Sequence, residues 1–562
     1  MSSPSSTPGV SSRLLRGYGP LVGLVVLLLL MSILVPSKPQ QRVEAAAASD
    51  VGPGAASDST TGATGDTVAG GTSGGATTGD TTAGAAGGAT GGTAQKGAPP
   101  AGEGIQPCPD RKEQVPGDPY SPPCIAFSGD NGGATSKGVT PTEIHVSYRV
   151  LNEKGFQQTL AELAGASLQD RPEDIKRTVS ALAEYFNKRF QFYGRKIVID
   201  FYNGVGSNTD ELLGKGRDKA EADAETVSSQ LKSFADMSAT SEPYADALFR
   251  RKVMGFGDPY LSTNWHNQHA PYIWSLAVEG TKVAKLAAEY TIKRLSGPGG
   301  KALPAKWAGG SIKDKPRVIA SMAPENSWYQ ESVQAARADT KAAGVPEGPN
   351  IEYQLDLGTM SNQAANIIPK LKSQGVTTIL CGCDPIMPVF LTGEMARQNY
   401  FPELIVVGTA LTDTDIVGQL WNQEAAKHVL GVSPLQEPVQ PQQTIAYEAY
   451  KTVRQDEPAF SVDLIYYQME MMAIGLQMAG PNLTPQAFQD GMSRYPGRLG
   501  PAGFWSFGPS DHTSADDVRE IYWDPNAISH YNSKKGAYID PQPGTRWLPG
   551  KIPSGEPKIP VR

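Results

Sequence analysis

Between residues 317 and 433, short apolar runs alternate with segments whose apolar residues recur at helical spacing. The runs predict strands and the amphipathic segments predict helices, two of which end at Gly344 and Gly375. Strands separated by single helices need crossover connections, so this pattern predicts a parallel sheet with helices on both faces. The predicted strands are 317–322, 351–355, 376–380, 404–407 and 429–433, and the predicted helices are 328–343, 361–374 and 386–399.

A second alternation of the same kind precedes the first. Its predicted strands are 143–150, 196–202, 234–237 and 253–256, and its predicted helices are 174–190, 219–231, 243–251 and 281–295. The Gly- and Pro-rich stretch 296–315 separates the two alternations. The predicted fold class is therefore α/β, with two doubly wound parallel-sheet lobes joined by a hinge. Ligands of such sheets bind outside the carboxyl ends of the strands.

The N-terminus is typical of an exported protein. Arg13 and Arg16 precede an apolar run, 21–35, which is close in length to a signal-peptide core and slightly short for a membrane span. Residues 1–44 are therefore either a cleaved signal peptide or an uncleaved signal anchor. Both alternatives place the protein outside the cytoplasm, secreted or at the cell surface, and the second adds membrane association through this N-terminal helix.

The rest of the chain divides by composition. A Gly-, Ala- and Thr-rich linker, 45–104, lacks the apolar side chains needed to offset chain entropy. The predicted organisation after it is a Cys-bracketed segment at 105–137, lobe 1 at 138–296, lobe 2 at 316–433, a helical return to lobe 1 at 434–498, a return to lobe 2 at 499–530 and a Pro-rich tail at 531–562. The Met-rich stretch near Met471 is interpreted as core helix.

Charge and cysteine content narrow the function. The 562 residues carry a net charge of -7 with no long basic run, which argues against a nucleic-acid partner. Cys108 and Cys124 bracket a polar loop, and in an oxidising compartment we expect a disulfide between them. Cys381 and Cys383 are either two loop thiols or a redox-labile bridge.

Five short stretches resemble segments of a known family: 138–146, Pro271-Tyr-Ile-Trp-Ser275, Asn326-Ser-Trp-Tyr329, Gly382-Cys-Asp-Pro385 and 499–505. They are similar to segments of the type I periplasmic solute-binding proteins, which include the branched-chain amino-acid receptors of ABC transporters. The resemblance implies a small-molecule ligand held in a cleft between lobes that close around it. It also implies the membrane subunits of an ABC importer as partners, no enzymatic activity and no cofactor.

The resemblance also implies a set of ligand-binding residues. Each has a structural alternative: helix capping for the first group and for the aspartate, an ordinary surface loop for the second group, and core packing for the aromatic pair. The predicted residues are Ser238, Thr240 and Ser241 in the first group, Tyr260, Ser262 and Thr263 in the second, and Trp328, Tyr329, Asp384 and Thr409 in lobe 2.

One departure from the family affects the ligand class. Amino-acid-binding members place an acidic residue just past the strand equivalent to 404–407, where this chain has Gly408, Thr409 and Ala410. A buried ammonium group would lack its counter-charge there, which costs several kcal/mol. We therefore expect a ligand other than a standard amino acid, to which Thr409 could donate a hydrogen bond.

Other motifs are rejected. His266 and His269 have a metal-compatible spacing but no third ligand, and Gly204-Val-Gly206 lacks the third glycine of a dinucleotide fingerprint. No metal site or catalytic pair is predicted. The alternatives to an importer subunit are a membrane-tethered ligand sensor that uses the same clamp, or a ligand-free surface scaffold.

Overall fold

The computed structural model describes residues 105–108, 110–151, 170–257 and 260–561. The chain divides into two compact units, 1–90 and 91–562, and all described residues belong to the second. The predicted signal segment and linker lie outside the described residues. Within the described ranges, no helix is long and apolar enough to cross a membrane.

Five parallel strands form the sheet of lobe 1. They are β1 Glu143–Val150, β2 Lys196–Asn203, β3 Ala235–Asp236, β4 Met254–Phe256 and β5 Ile273–Trp274. Their spatial order is β2-β1-β3-β4-β5, and β1 and β2 pair over their full length from Glu143 opposite Lys196. The short β5 and the helix before it, Thr263–His269, were not predicted, because β5 has two residues and the only apolar residue of the helix is Trp265.

Seven strands form the sheet of lobe 2. They are β8 Ile319–Pro324, β9 Asn350–Tyr353, β10 Thr378–Cys381, β11 Glu403–Val406, β12 Val429–Ser433, β15 Arg519–Ile528 and β16 Lys535–Ile539. The first five are parallel, and β15 and β16 extend the edge beyond β12 as antiparallel strands. The predicted two-lobe α/β fold is thus confirmed, with an antiparallel edge that the pattern did not predict.

Both lobes have the same strand order. The five parallel strands of lobe 2 lie in the order β9-β8-β10-β11-β12, which repeats the 2-1-3-4-5 order of lobe 1. The topological switch points are therefore between β1 and β3 and between β8 and β10. Crevices at such points are where doubly wound sheets bind ligands.

Helices cover both faces of the first sheet. The lobe 1 helices are α1 Pro172–Arg189, α2 Asn208–Leu212, α3 Arg217–Glu225 with a π-turn at Thr226–Leu231, α4 Glu242–Arg250 and α5 Thr263–His269. One face of the sheet packs in a core with the Cys-bracketed segment and the return helices, and the other face packs against α3, α4 and α5. Acidic residues in the first turn of α1 and basic residues in its last turn complement the helix dipole.

The next helix, α6 Gly280–Tyr290 with a π-turn at Thr291–Leu295, packs on the second sheet. Its Leu286 and Tyr290 share a core with Ile405 of β11 and Leu430 of β12. The predicted limit of lobe 1 at 296 lies after this helix, whereas in the structure the chain leaves the first sheet before it, at 275–279. The Gly- and Pro-rich stretch instead forms a small hairpin, β6 Ser296–Gly297 with β7 Lys301–Ala302.

Lobe 2 contains five further helices. The first two end at glycines with positive φ, Gly344 at 82° and Gly375 at 68°, as the sequence predicts. The helices are α7 Ser327–Ala342, α8 Met360–Ser373, α9 Met387–Arg397, α10 Asp415–Leu420 and α11 Gln423–Ala426.

After β12 the chain returns to the first sheet. Met469, Met471 and Met472 of the longest return helix are buried in its core, as predicted. The elements are α12 Ile445–Lys451, α13 Val462–Ala479, α14 Pro485–Met492 and the hairpin β13 Arg498–Gly500 with β14 Gly503–Trp505.

The chain passes between the sheets three times, at 275–279, 434–444 and 506–518. The first and third passages run side by side: Ser275 N–H donates to the His512 carbonyl at 3.0 Å, and Ser514 Oγ donates to the Leu276 carbonyl at 2.7 Å. Lys282 of α6 is ion-paired with Asp516 at 2.5 Å. These contacts hold two of the passages together as one hinge strip.

The predicted Pro-rich tail is part of the folded unit. It begins with β16, and three later side chains, Trp547, Ile552 and Ile559, are buried in the core that also contains α6. Apolar residues too widely spaced to form a periodic pattern account for the difference.

Candidate functional site

The carboxyl edges of the two sheets meet across a cleft. Tyr260 in the loop after β4 accepts a hydrogen bond from Leu411 N–H in the loop after β11, at 3.2 Å. Ser262 Oγ in the same lobe 1 loop donates to Glu331 Oε2 of α7 at 2.5 Å. Two of the predicted residues therefore lie at the junction of the lobes.

At the lobe 1 switch point, the first predicted group is engaged within its own lobe. Ser238 Oγ donates to Asp236 Oδ1 at 2.7 Å and accepts from Arg149 N–H at 2.7 Å. Ser241 Oγ donates to Glu211 Oε2 at 2.5 Å, while Thr240 is exposed. These hydrogen bonds fix the loop after β3, and only Thr240 keeps an exposed hydroxyl.

A buried charged cluster, missed by the sequence analysis, supports that loop. Arg149 pairs with Glu211 at 2.8 Å and with Asp223 at 3.2 Å, and its guanidinium lies 3.7 Å from the ring centroid of Tyr244. All three charged side chains are almost fully buried. Arg149 lies on the same face of β1 as Glu143, His145 and Ser147, and this polar face was the available signal. Its acidic partners could not be identified, because they come from distant helices.

The second predicted group divides between the two lobes. Tyr260 is buried with φ at 55°, and Ser262 also caps α5 by accepting from Trp265 N–H at 3.1 Å. Thr263 Oγ1 donates to Glu279 Oε1 at 2.5 Å, so its hydroxyl is bonded to the first passage between the sheets, 275–279. Burial raises the pKa of Glu279 to about 7.

The two aromatic residues at the start of α7 have different surroundings. Trp328 packs against the lobe 1 core that contains α3, α4 and α5, and so bridges the lobes. Tyr329 is half-buried, and burial together with the negative charge of Asp384 raises the pKa of its hydroxyl. The core-anchoring alternative applies to Trp328.

Asp384 lies at the lobe 2 switch point and caps α9. Its Oδ1 accepts from the N–H groups of Ile386 at 2.8 Å and Met387 at 3.3 Å, and its Oδ2 accepts from Tyr353 Oη at 2.6 Å. Burial raises the pKa of this carboxyl. The hydrogen bonds are those of the capping alternative stated above.

The loop after β11 contains unused hydrogen-bonding capacity. Among the described residues, no partner contacts the buried Thr409 Oγ1 or the buried Asp413 Oδ1. Asp413 Oδ2 accepts from Ser433 Oγ at 2.5 Å, and burial raises the pKa of Asp413 to about 6. Buried polar groups are normally paired, so this loop is the part of the cleft best equipped to hold a polar ligand.

Asp413 is an acidic residue of this loop that was not predicted. The prediction concerned positions 408–410, and positive φ angles at Gly408, Ala410 and Leu411 turn the chain back on itself. A Cβ placed on Gly408 would lie 3.4 Å from Asp413 Oδ2. The carboxylate of Asp413 therefore lies close to Gly408, although it is five residues farther along the chain.

Both cysteine pairs are disulfide-bonded, Cys108 to Cys124 and Cys381 to Cys383. The first bond agrees with the prediction, and the second selects the bridge over the two thiols. In the part of the chain that the structure describes, no cluster of three or more His, Cys, Asp or Glu could hold a metal ion. His269 stacks on Trp265 at 3.6 Å and contacts Asp246 at 3.1 Å, which gives it a structural role.

Two doubly wound lobes, three passages between them and polar loops facing across a cleft define a bilobal binding protein. The family model of the periplasmic binding proteins matches residues 172–527. The chain therefore belongs to the periplasmic binding protein family, a family of binding proteins rather than enzymes. A comparison with curated proteins finds no match.

Solved structures similar to this chain include three bacterial and archaeal binding proteins. A solute-binding protein of an ABC transporter from Rhodopseudomonas palustris HaA2, in complex with p-hydroxybenzoic acid, is 12% identical over 71% of this chain and 98% of its own, with a TM-score of 0.48. An ABC transporter substrate-binding protein from Aeropyrum pernix is 11% identical over 72% of this chain and 97% of its own, with a TM-score of 0.48. The branched-chain amino acid transporter substrate-binding protein LivJ from Streptococcus pneumoniae, in complex with isoleucine, is 11% identical over 71% of this chain and 100% of its own, with a TM-score of 0.45. The family assignment rests on the family model.

Proposed function

We propose that the protein is an extracytoplasmic solute-binding subunit that captures a small polar molecule between its lobes and delivers it to an ABC importer. Thr409 Oγ1 and Asp413 Oδ1 support this proposal most directly, because they are buried and unpartnered among the described residues beside the contact between Tyr260 and Leu411. Desolvated groups of this kind recover their hydrogen bonds when a ligand supplies the partner.

Two roles are proposed for other predicted residues, ligand contact and loop support. Tyr260, Tyr329 and Thr240 would contact the ligand, since no described side chain of the same lobe forms a hydrogen bond with their hydroxyls. Ser238 and Ser241 would support the loop from beneath. We also propose that the apolar run 21–35 directs export, either cleaved or kept as an anchor, and N-terminal sequencing of the mature protein distinguishes the two.

A thermal-shift screen of the purified protein tests ligand capture, because a ligand that binds only the folded state raises its apparent stability. We expect the stabilising compound to lose its effect in Thr409→Val and to keep it in Thr340→Val. The control removes a hydroxyl at the far end of α7. An unchanged shift in Thr409→Val would exclude this loop from the site.

Delivery to an importer is tested separately in cells. Uptake of the identified compound should fall when the protein is deleted and recover with the original chain but not with Thr409→Val. Uptake that does not change on deletion would contradict transport, while leaving binding intact, and would favour the sensor.

A further inference from the structure

A cavity outside the cleft lies between the Cys-bracketed segment and α1. Its volume is about 260 Å³, and one wall comes from the loop closed by the Cys108–Cys124 disulfide. The opposite wall comes from the last turns of α1 and the end of α12. The cavity therefore forms only when the disulfide-closed loop is seated on lobe 1.

The lining of this cavity is strongly cationic. Arg111, Lys188 and Arg189 contribute to it, and none of its lining residues is an aspartate or glutamate. Lys188 pairs with Glu184 at 2.6 Å. Among the described residues, neither Arg111 nor Arg189 has a carboxylate partner, so two guanidinium charges remain without a counter-ion in the folded unit.

The described contacts of both guanidinium groups are with neutral groups. Arg111 donates to the Gln114 carbonyl at 3.0 Å and to the Pro107 carbonyl, and the exposed Arg189 lies 4.9 Å over the ring of Tyr185. Each guanidinium has five N–H donors, so these contacts leave donors free. Guanidinium forks match the oxygens of a tetrahedral oxyanion.

Helix electrostatics explains only part of the cluster. Basic side chains in the last turn of a helix are favourable next to its dipole, which accounts for Lys188 and Arg189. Arg111 is not on this helix: a separate segment brings it there, and Gln114 Nε2 of that segment donates to the Arg189 carbonyl at 2.8 Å. The helix dipole therefore does not explain why Arg111, from a different segment, lies beside Lys188 and Arg189.

We propose that this cavity binds a phosphate ester on a short polyol, of the glycerophosphate class. The two guanidinium groups would hold the phosphate, while the Gln106 amide oxygen would accept from a hydroxyl group and Tyr185 provides a flat wall. The volume suits a small ligand rather than a drug-sized one. The same chemistry occurs in free phosphate esters and in phospholipid head groups.

The experiment uses the full chain and compares its melting temperature with sn-glycerol 3-phosphate against glycerol plus salt at matched ionic strength. At about ten times Kd, we expect a rise of about 2 °C in the original chain and none in Arg111→Gln/Arg189→Gln. The matched control, Lys301→Gln/Lys370→Gln, removes two exposed charges elsewhere and should respond like the original chain. Equal responses in both double variants, or no response in the original chain, would overturn the proposal.

Lipid vesicles distinguish a phospholipid head group from a free phosphate ester as the ligand. Hydrogen exchange at 106–116 is measured with phosphatidylcholine vesicles, with or without phosphatidylglycerol. Slower exchange with phosphatidylglycerol, lost in Arg111→Gln/Arg189→Gln, supports a lipid head group. Protection by soluble sn-glycerol 3-phosphate alone supports a free ester. No Arg-dependent protection by either would contradict the site.

Discussion

The hydroxyl of Tyr260 accepts a hydrogen bond of 3.2 Å from Leu411 N–H, and this contact joins the loop after β4 to the loop after β11. Both residues have positive φ, 55° and 64°, a conformation that costs a non-glycine residue roughly 1–3 kcal/mol. Two loops in unfavourable conformations thus meet directly across the cleft. Such conformations persist where the surrounding structure holds them, and they cluster at binding sites.

Removing this contact should weaken ligand binding. Tyr260→Phe deletes one hydrogen bond worth about 1 kcal/mol, so we expect roughly five-fold weaker affinity for the ligand found by the thermal screen. Calorimetric titration measures it. Tyr400→Phe is the matched control, because it removes a tyrosine hydrogen bond to the Val376 carbonyl inside lobe 2. Equal affinity in Tyr260→Phe would show that closure does not depend on the hydroxyl.

The stability of the protein should depend on Asp413. Burial raises the pKa of this carboxyl in the folded state to about 6, above its value in the unfolded chain. Its contribution to stability is therefore present at low pH and is lost as pH rises through that range. Asp413→Asn removes the titration, so its unfolding free energy relative to the original chain should increase between about pH 4 and pH 7, by roughly 2–3 kcal/mol.

Urea unfolding at several pH values measures this difference. A constant difference across the range would show that the Asp413 carboxyl has an ordinary pKa in the folded protein. Ser433→Ala provides a related comparison, because it removes the only hydroxyl that a described residue donates to Asp413, and so should raise the pKa further.

Removing Arg149 from its buried cluster should lower the unfolding free energy more than removing one partner of an exposed ion pair. Arg149→Met leaves Glu211 and Asp223 buried without their counter-charge, and we expect a loss of about 3–5 kcal/mol of unfolding free energy. The control is Arg171→Met, which removes an exposed partner of Asp174 and should cost far less. Chemical denaturation measures both. Similar losses in the two variants would contradict the importance of burial.

A pair of buried carboxyl groups, Asp118 and Glu470, connects the Cys-bracketed segment to α13. Glu470 is fully buried facing Asp118, whose Oδ2 also accepts from Tyr466 Oη at 3.2 Å. Burial, and then the proximity of Asp118, raise the pKa of Glu470 well above its ordinary value. Two adjacent carboxylates repel, so one proton is retained between them in the folded state.

Stability should therefore fall as pH rises above the unfolded-state pKa of this pair, because the folded protein holds a proton that the unfolded chain releases. Glu470→Gln keeps a donor toward Asp118 without a titrating proton, and it should flatten this pH dependence. Melting curves across neutral pH measure the slope. A slope that is the same in Glu470→Gln would place the titrating group elsewhere.

Periodicity predicted the elements that have enough residues to show it. The strands β8 to β12, the helices α7 to α9 and the glycine ends of α7 and α8 were predicted because each buries one face or one stripe against a neighbour. The short helices α10 and α11 were not predicted. β5 has two residues, Ile273–Trp274, and carries no period at all. β16 and the buried Trp547 lie in a Pro-rich stretch whose composition suggested a loose tail.

For the candidate site, the sequence predicted which loops are involved better than it predicted what each side chain does. Ser262, Tyr260 and Thr409 were predicted from the resemblance to the solute-binding proteins, which places them in loops that follow strands. The cluster of Arg149 with Glu211 was not, because its members are 62 residues apart and only the fold brings them together. Asp413 was missed because its position depends on the backbone angles of the loop before it.

The sequence by itself determined that this chain has two parallel-sheet lobes, since the spacing of apolar residues records which face each element buries. Only the tertiary structure decided that α6 packs on the second sheet and that Arg149 is buried with Glu211 and Asp223. These outcomes depend on contacts between residues far apart in the chain, which a local pattern of apolar and polar positions does not encode.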